Sequence, residues 1–83
     1  MAIRVKVLYF GQARDASGTT SEVVSLTPPA SLRDLVERAE ARHGALARLG
    51  KSVRIAVNAE LAEVDRGLYD GDEVAFLPPV AGG

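Results

Sequence analysis

The sequence predicts an α+β domain in which a mixed β-sheet wraps around one main helix. Two strand-like segments with a period of two lie near the ends of the chain, from Ile3 to Phe10 and from Glu73 to Leu77. One amphipathic segment with helical spacing lies between them. A β-strand pattern on both sides of a single helix favours a sheet packed on that helix.

The first two strands are expected to form a hairpin. Ile3 to Phe10 alternates so that its odd-numbered residues are apolar and face the core, while its even-numbered residues face outward. Gly11 to Ser21 is rich in Gly, Ser, Thr and Asp, which predicts a loop. Glu22 to Leu26 then predicts the second strand.

The main helix is expected to begin after Ser31 and to end before Gly44. Pro28 and Pro29 have no N–H for a sheet and so end the preceding strand. Ser31 with Asp34 three residues later has the spacing of an N-terminal capping pair. A glycine is a common helix stop, and His43 before it is expected to face solvent or the helix end. The apolar residues at helical spacing are Leu32, Leu35, Val36 and Ala39.

The remaining segments predict further strands. Val53 to Val57 is a short β-branched run, Leu61 to Val64 is a weaker one, and Asp70 to Asp72 is a turn before the last strand. We expect the first and last strands to be central and parallel. This order is the β-grasp, ubiquitin-like arrangement.

Composition excludes several classes of function. The 10 Lys and Arg residues nearly balance the 11 Asp and Glu residues, and no segment concentrates basic side chains, so no nucleic-acid or membrane partner is expected. The absence of cysteine excludes thiolate metal sites and persulfide carriers, and the single histidine excludes a His-rich metal site. The N-terminal segment is unlike a secretory signal, which predicts a cytoplasmic protein.

The last residues after the final strand, Pro78 to Gly83, have the composition of an extended tail. The predicted domain therefore spans residues 1–77, and a flexible tail spans residues 78–83. Paired prolines favour polyproline II geometry, in which six residues reach roughly 19 Å. Gly82 and Gly83 have no side chains, so a narrow channel on a partner can admit them. The residues predicted to insert are Pro78, Pro79, Val80, Ala81 and Gly82.

The tail offers one reactive group, the carboxylate of Gly83. A carboxylate is a poor electrophile in water, so its chemistry needs activation, most plausibly as an acyl-adenylate formed with ATP. The chain has no phosphate-binding motif, so another enzyme must supply that step. A sulfur nucleophile attacking the adenylate leaves a thiocarboxylate, which carries sulfur without a cysteine. The alternative is that the two glycines are a frayed terminus with no function.

Three stretches of the sequence, VLYFGQARD, VNAEL and DGDEVAFLPPVAGG, together resemble one known family. They are similar to the small, sulfur-carrying subunit of molybdopterin synthase, which itself resembles the sulfur carrier of thiamine synthesis and ubiquitin. The resemblance covers nearly the whole chain. Its most specific element is the joined string DGDEVAF-x-PPV-x-GG.

The resemblance implies a cycle of activation and transfer. An activating enzyme of the ubiquitin-activating type adenylates Gly83 with ATP, and sulfur from a donor replaces AMP. The tail then enters the large subunit of the synthase and donates sulfur to cyclic pyranopterin monophosphate, in a heterotetramer with two small subunits at opposite ends of a large-subunit dimer. It also implies that the catalytic side chains belong to the large subunit and that this chain binds no cofactor.

A partner surface is predicted from strand parity and from the resemblance. Parity places Leu8 and Phe10 on the outer face of the first strand, and Ala75 and Leu77 on the outer face of the last. The resemblance adds Arg14 and Leu61 to this surface. Where the family often carries a second phenylalanine, this chain has Leu77. The alternative is that a loop covers some of these residues.

Two other functions remain open on the sequence alone. The chain is compatible with a carrier for thiamine synthesis or tRNA thiolation, or with a ubiquitin-like protein modifier. It is also compatible with an interaction module in which the sheet matters and the tail does not.

Overall fold

The predicted mixed sheet is confirmed. The computed structural model describes residues 1–78, with the backbone alone for Lys51. The strands are β1 (Ile3–Tyr9), β2 (Ser21–Leu26), β3 (Ala30–Ser31), β4 (Arg54–Val57), β5 (Glu60–Leu61), β6 (Gly67–Leu68) and β7 (Glu73–Leu77). The helices are α1 (Gly11–Ser17), α2 (Leu32–Arg42) and α3 (Gly44–Ala47), followed by a 3₁₀ turn at Gly50–Ser52. A five-stranded sheet has the order β2-β1-β7-β4-β5, and a two-stranded sheet pairs β3 with β6.

The two central strands, β1 and β7, are parallel neighbours. One face of this pair is buried against α2, and the other face is on the outside of the sheet. Val7 lies opposite Val74, and Tyr9 lies opposite Phe76. All four side chains are at most 4% exposed and point to the side covered by α2. The core face of α2 is formed by Leu32, Leu35 and Ala39. Because each buried side chain of this size contributes about 1.5–3 kcal/mol, this contact fixes which face of the sheet remains outside.

The predicted loop at Gly11 to Ser21 is wrong for most of its length, because Gly11–Ser17 forms helix α1. The fully buried Ala13 anchors this helix, which packs on α3 and on the central strands. Gly18 ends it in the left-handed conformation and donates its N–H to the carbonyl of Arg14 at 2.9 Å. The hairpin of β1 and β2 is confirmed, with α1 inserted in its connection.

Helix α2 begins as predicted but ends one residue earlier than Gly44 indicates. The backbone N–H of Ser31 donates to Asp34 at 2.8 Å, and the N–H of Asp34 donates to the Ser31 hydroxyl at 3.4 Å, which is a capping box. At the other end, His43 leaves helical geometry while its N–H still bonds the Ala39 carbonyl at 2.8 Å. Gly44 therefore starts α3 instead of terminating α2.

A polar cluster ties the end of α2 to the hairpin. Glu22 accepts hydrogen bonds from the Tyr9 hydroxyl at 2.5 Å and from Arg42 at 3.1 Å, and its carboxylate lies 2.8 Å from Nε2 of His43. His43 lies at the end of α2, as one of the two expectations had it, but its side chain does not face solvent: it is 18% exposed and its ring meets Tyr9 edge to face at 5.8 Å. Burial raises the pKa of Glu22, but the hydrogen bonds from Tyr9, His43 and Arg42 outweigh it and lower the pKa below its ordinary value.

Candidate functional site

An apolar stripe crosses the outer face of the sheet, opposite α2. Leu8 on β1 lies opposite Ala75 on β7, Ala75 lies opposite Ala56 on β4, and Ala56 lies opposite Leu61 on β5. Because successive strand residues point to opposite faces, these four share one face, while the residues next to Leu8, Ala56 and Ala75 face the core. The apolar stripe therefore brings together three predicted partner residues, Leu8, Ala75 and Leu61.

Ala56 belongs to the stripe, although sequence reasoning did not select it. The run Val53 to Val57 contains four apolar residues and no alternation that would reveal its outer side. The signal lay in the turn after it, since a two-residue loop at Asn58 and Ala59 puts Val57 opposite Glu60 and Ala56 opposite Leu61. Both loop residues have positive φ, 50° and 71°, as such a turn requires.

The stripe is bordered by Phe10 and Leu77 on the side where the chain leaves the sheet. The Phe10 side chain is 45% exposed, and its N–H continues the parallel ladder to the carbonyl of Phe76 at 3.1 Å. Leu77 is half-buried, on the outer face opposite Arg54 of β4. Phe10 and Leu77 therefore extend the apolar surface to the point where β7 ends and Pro78 begins.

Arg14, the sixth predicted partner residue, lies off the sheet. It is exposed on α1, one helical turn after Phe10, and its N–H is 3.3 Å from the Phe10 carbonyl oxygen. Arg14 therefore shares the edge of the site formed by Phe10 and is separate from the apolar stripe.

A row of charged side chains borders the stripe on the side away from the tail. Lys6 on β1 lies opposite Glu73 on β7, both exposed and both on the outer face. A partner that covers the apolar stripe meets these charges at one border and Phe10 at the other. Because the charged border is far from the tail and the Phe10 border is next to it, a partner that matches both borders can bind in only one orientation relative to the tail.

The acidic turn before β7 is used to hold the sheet together. Asp70 accepts the backbone N–H of Arg4 at 2.8 Å, and Asp72 accepts the N–H of Tyr69 at 2.8 Å and the side-chain amide of Asn58 at 3.0 Å. Across residues 1–78, no group of three or more His, Cys, Asp or Glu side chains is arranged to hold a metal ion. None of the helices in these residues is long and apolar enough to cross a membrane.

Only the first predicted insertion residue, Pro78, is within the described part of the chain. It follows β7 directly and is exposed. Pro79, Val80, Ala81, Gly82 and the proposed reactive residue Gly83 lie outside the described residues. The four stripe residues have no ionisable or nucleophilic side chains, so the chemistry available to this surface is apolar binding.

Comparison with known proteins identifies the family. The model of the ThiS family matches residues 7–83. A molybdopterin synthase sulfur carrier subunit from Mycobacterium tuberculosis is 40% identical, with 98% of this chain and 99% of the relative aligned. One from Escherichia coli is 41% identical, with 95% of this chain and 99% of the relative aligned.

Solved structures agree with the fold. A Pyrococcus furiosus protein described as molybdopterin converting factor subunit 1 has a TM-score of 0.82 and 34% identity, covering 94% of this chain and 99% of its own. One chain of a complex of subunits 1 and 2 of the molybdopterin-converting factor from Helicobacter pylori has a TM-score of 0.67 and 27% identity, covering 98% of this chain and 100% of its own. Small archaeal modifier protein 1 from Methanosarcina acetivorans has a TM-score of 0.84 and 26% identity, with 100% and 99% covered.

Proposed function

The chain belongs to the ThiS family and has the function of a sulfur carrier subunit of molybdopterin synthase in molybdenum cofactor biosynthesis, and we propose that it carries the sulfur as a thiocarboxylate on Gly83. The observation that carries this proposal is the position of Pro78, the residue at which the tail begins. Strand β7 lies at the centre of the sheet, contributes Ala75 to the apolar stripe, and continues directly into Pro78. A partner docked on the stripe is therefore next to the start of the tail.

Activation takes place on a separate enzyme of the ubiquitin-activating type. The Gly83 carboxylate attacks the α-phosphate of ATP, forming an acyl-adenylate and releasing pyrophosphate. Hydrosulfide supplied by a sulfur donor then attacks the acyl carbon and displaces AMP, which leaves the thiocarboxylate with no change of oxidation state. ATP is bound by the activating enzyme, and this chain binds no cofactor of its own.

Transfer takes place on the large subunit of molybdopterin synthase. The similar Helicobacter pylori protein is solved as a complex of the two subunits. In our proposal the stripe residues Leu8, Ala56, Leu61 and Ala75, with Phe10, Arg14 and Leu77 at its border, bind the large subunit. The tail residues Pro78, Pro79, Val80, Ala81 and Gly82 then fill a channel that leads to cyclic pyranopterin monophosphate. Two small subunits dock at opposite ends of a large-subunit dimer, and the catalytic side chains lie on the large subunit.

Intact-mass measurement tests the activation step. The chain is incubated with the activating enzyme, ATP and a sulfur donor, beside one variant that lacks Gly83 and one extended by a single alanine. We expect a mass increase equal to the replacement of one oxygen by sulfur in the natural chain and in neither variant. A mass increase of the same size in the chain lacking Gly83 would place the sulfur elsewhere and overturn the proposal.

A second candidate function is conjugation to other proteins. The likeness to small archaeal modifier protein 1 favours it, because that protein is named as a modifier and shares the fold over the whole chain. In this case the adenylated Gly83 forms an isopeptide bond with a lysine of another protein. Trypsin cleaves this chain for the last time after Arg66, so a conjugate would leave residues 67–83 on the acceptor lysine. Mass spectrometry of tryptic peptides that carry this segment on a lysine separates this function from sulfur carriage.

A further inference from the structure

Gly11 and Pro78 are in direct contact at the point where the tail begins. A Cβ built on Gly11 would lie 2.9 Å from Cβ of Pro78 and 3.2 Å from its Cγ. Real Cβ atoms essentially never approach another carbon as closely as the shorter distance, so the proline ring occupies the space that any other side chain at position 11 would need. The absence of a side chain at Gly11 is what allows Pro78 to lie there.

Backbone pairing fixes the two residues relative to each other. Tyr9 lies opposite Phe76 in the parallel ladder, and the N–H of Phe10 donates to the Phe76 carbonyl at 3.1 Å. Gly11 and Pro78 each follow this pairing by one or two residues. The pairing therefore brings the two segments side by side where they leave the sheet.

The conformation of Gly11 adds a second restriction. Its φ is +51°, in the left-handed region, and it turns the chain from β1 into α1. Gly18 has the same kind of conformation, with φ of +75°, but nothing lies within 4 Å of a Cβ built on it. Gly18 is therefore explained by its turn alone, whereas Gly11 combines a turn with a contact to the tail.

We propose that Gly11 is a positioning residue for sulfur transfer. Because it has no side chain, the ring of Pro78 can pack directly against it, and this Gly11–Pro78 contact holds the first residue of the tail in one position. The proline ring fixes φ of Pro78, so a fixed position for the ring sets the direction in which the next residues leave the sheet. This inference rests on the proposed carrier function. Gly11 acts through Pro78 and touches no reacting atom, and its effect is on how often the Gly83 thiocarboxylate reaches its acceptor.

The functional test compares Gly11→Val with Gly18→Val. Valine at either position adds the same kind of strain in the left-handed region, but only at position 11 does it meet Pro78. With preformed thiocarboxylate and the large subunit, we expect Gly11→Val to lower the transfer rate at saturation about 10- to 100-fold, as a displacement near 1 Å does. The large-subunit concentration at half-saturation should change less than about twofold, because the apolar stripe is intact. An equal loss in both valine variants would overturn the proposal.

A double-substitution cycle with Pro78→Gly guards against a general folding effect. Removing the ring leaves nothing for the introduced valine side chain to displace, so in the Pro78→Gly background Gly11→Val is expected to cost no more transfer rate than Gly18→Val does. Gly18→Val, in contrast, should have the same effect in both backgrounds. If the losses of transfer rate caused by Gly11→Val and Pro78→Gly were additive, the proposed role of the Gly11–Pro78 contact would be contradicted.

The contact itself is measurable without any sulfur transfer. Nuclear Overhauser contacts between the Cα hydrogens of Gly11 and the ring hydrogens of Pro78 are expected in the natural chain and in Gly18→Val. If these Overhauser contacts were absent from the natural chain, the proposed role of the Gly11–Pro78 contact would be overturned. If these contacts are present but the natural chain transfers no sulfur, the proposed carrier function fails and the positioning role in transfer fails with it, whereas the Gly11 and Pro78 contact stands.

Discussion

The ring of Tyr9 packs against the ring of Phe76 with centroids 5.3 Å apart, across the two central parallel strands. This pair closes the core, and the same alternation puts Leu8 and Ala75 on the opposite face. Core packing therefore holds the partner surface in place. The tail starts two residues after Phe76, so core, surface and tail are connected through one strand.

Phe76→Ala is expected to lower the free energy of unfolding by about 3–5 kcal/mol, because it leaves a cavity beside Tyr9. Phe10→Ala is the matched control, since Phe10 is 45% exposed where Phe76 is 4% exposed. It should change stability by less than about 0.5 kcal/mol while weakening binding to the large subunit. Urea denaturation measures the free energy of unfolding of both variants. Similar losses of stability in the two variants would contradict the assignment of their faces.

Leu61→Asp is expected to weaken binding to the large subunit about 10- to 100-fold, because it places a charge in the apolar stripe. Val64→Asp is the control: Val64 is also exposed, at 42% against 61% for Leu61, but it lies outside the stripe. Isothermal titration calorimetry with the large subunit gives both affinities. Equal weakening in the two variants would show that the stripe is not the docking surface.

Ser31→Ala is expected to lower the free energy of unfolding by about 1 kcal/mol, since it removes the hydroxyl that caps α2. Ser25→Ala on the exposed side of β2 is the control and should fall within about 0.5 kcal/mol of the natural chain. Thermal or urea unfolding followed by circular dichroism measures the difference. No loss in Ser31→Ala would mean that the capping box does not contribute to stability.

Glu22 is expected to make stability depend on pH in the acid range. Its folded pKa is lowered, so its contribution is present above the unfolded pKa near 4.5 and is lost as pH falls through the folded value. Glu22→Gln should therefore be less stable than the natural chain at about pH 6, and the difference should shrink by about pH 3. The exposed Glu37→Gln controls for loss of a surface charge. A difference that stays constant over this range would contradict the role given to the polar cluster.

The elements that were predictable from the sequence are those whose pattern matches one local environment. Strand β7 was predicted with both of its bounds, because Val74 and Phe76 alternate with outward residues and Gly71 marks the turn before it. The start of α2 was predicted because its cap depends on two residues three apart.

What escaped prediction depends on contacts distant in sequence. Helix α1 is only seven residues long and contains Gly11, Asp15 and Ser17, which favour loops, and it is stabilised by packing on α3. The pairing of β3 with β6 involves two residues on each side, too few to show a period. Ala56 is assigned to the stripe only by its register with Ala75 and Leu61.

The measurement that tests the central claim most directly is a single-turnover sulfur transfer from the purified thiocarboxylate form to cyclic pyranopterin monophosphate on the large subunit, followed by the intact mass of the carrier. We predict that the carrier mass returns to that of the carboxylate form as the pterin gains sulfur, at matching rates. A thiocarboxylate that persists beside an active large subunit and its substrate would contradict the assignment to molybdopterin synthesis.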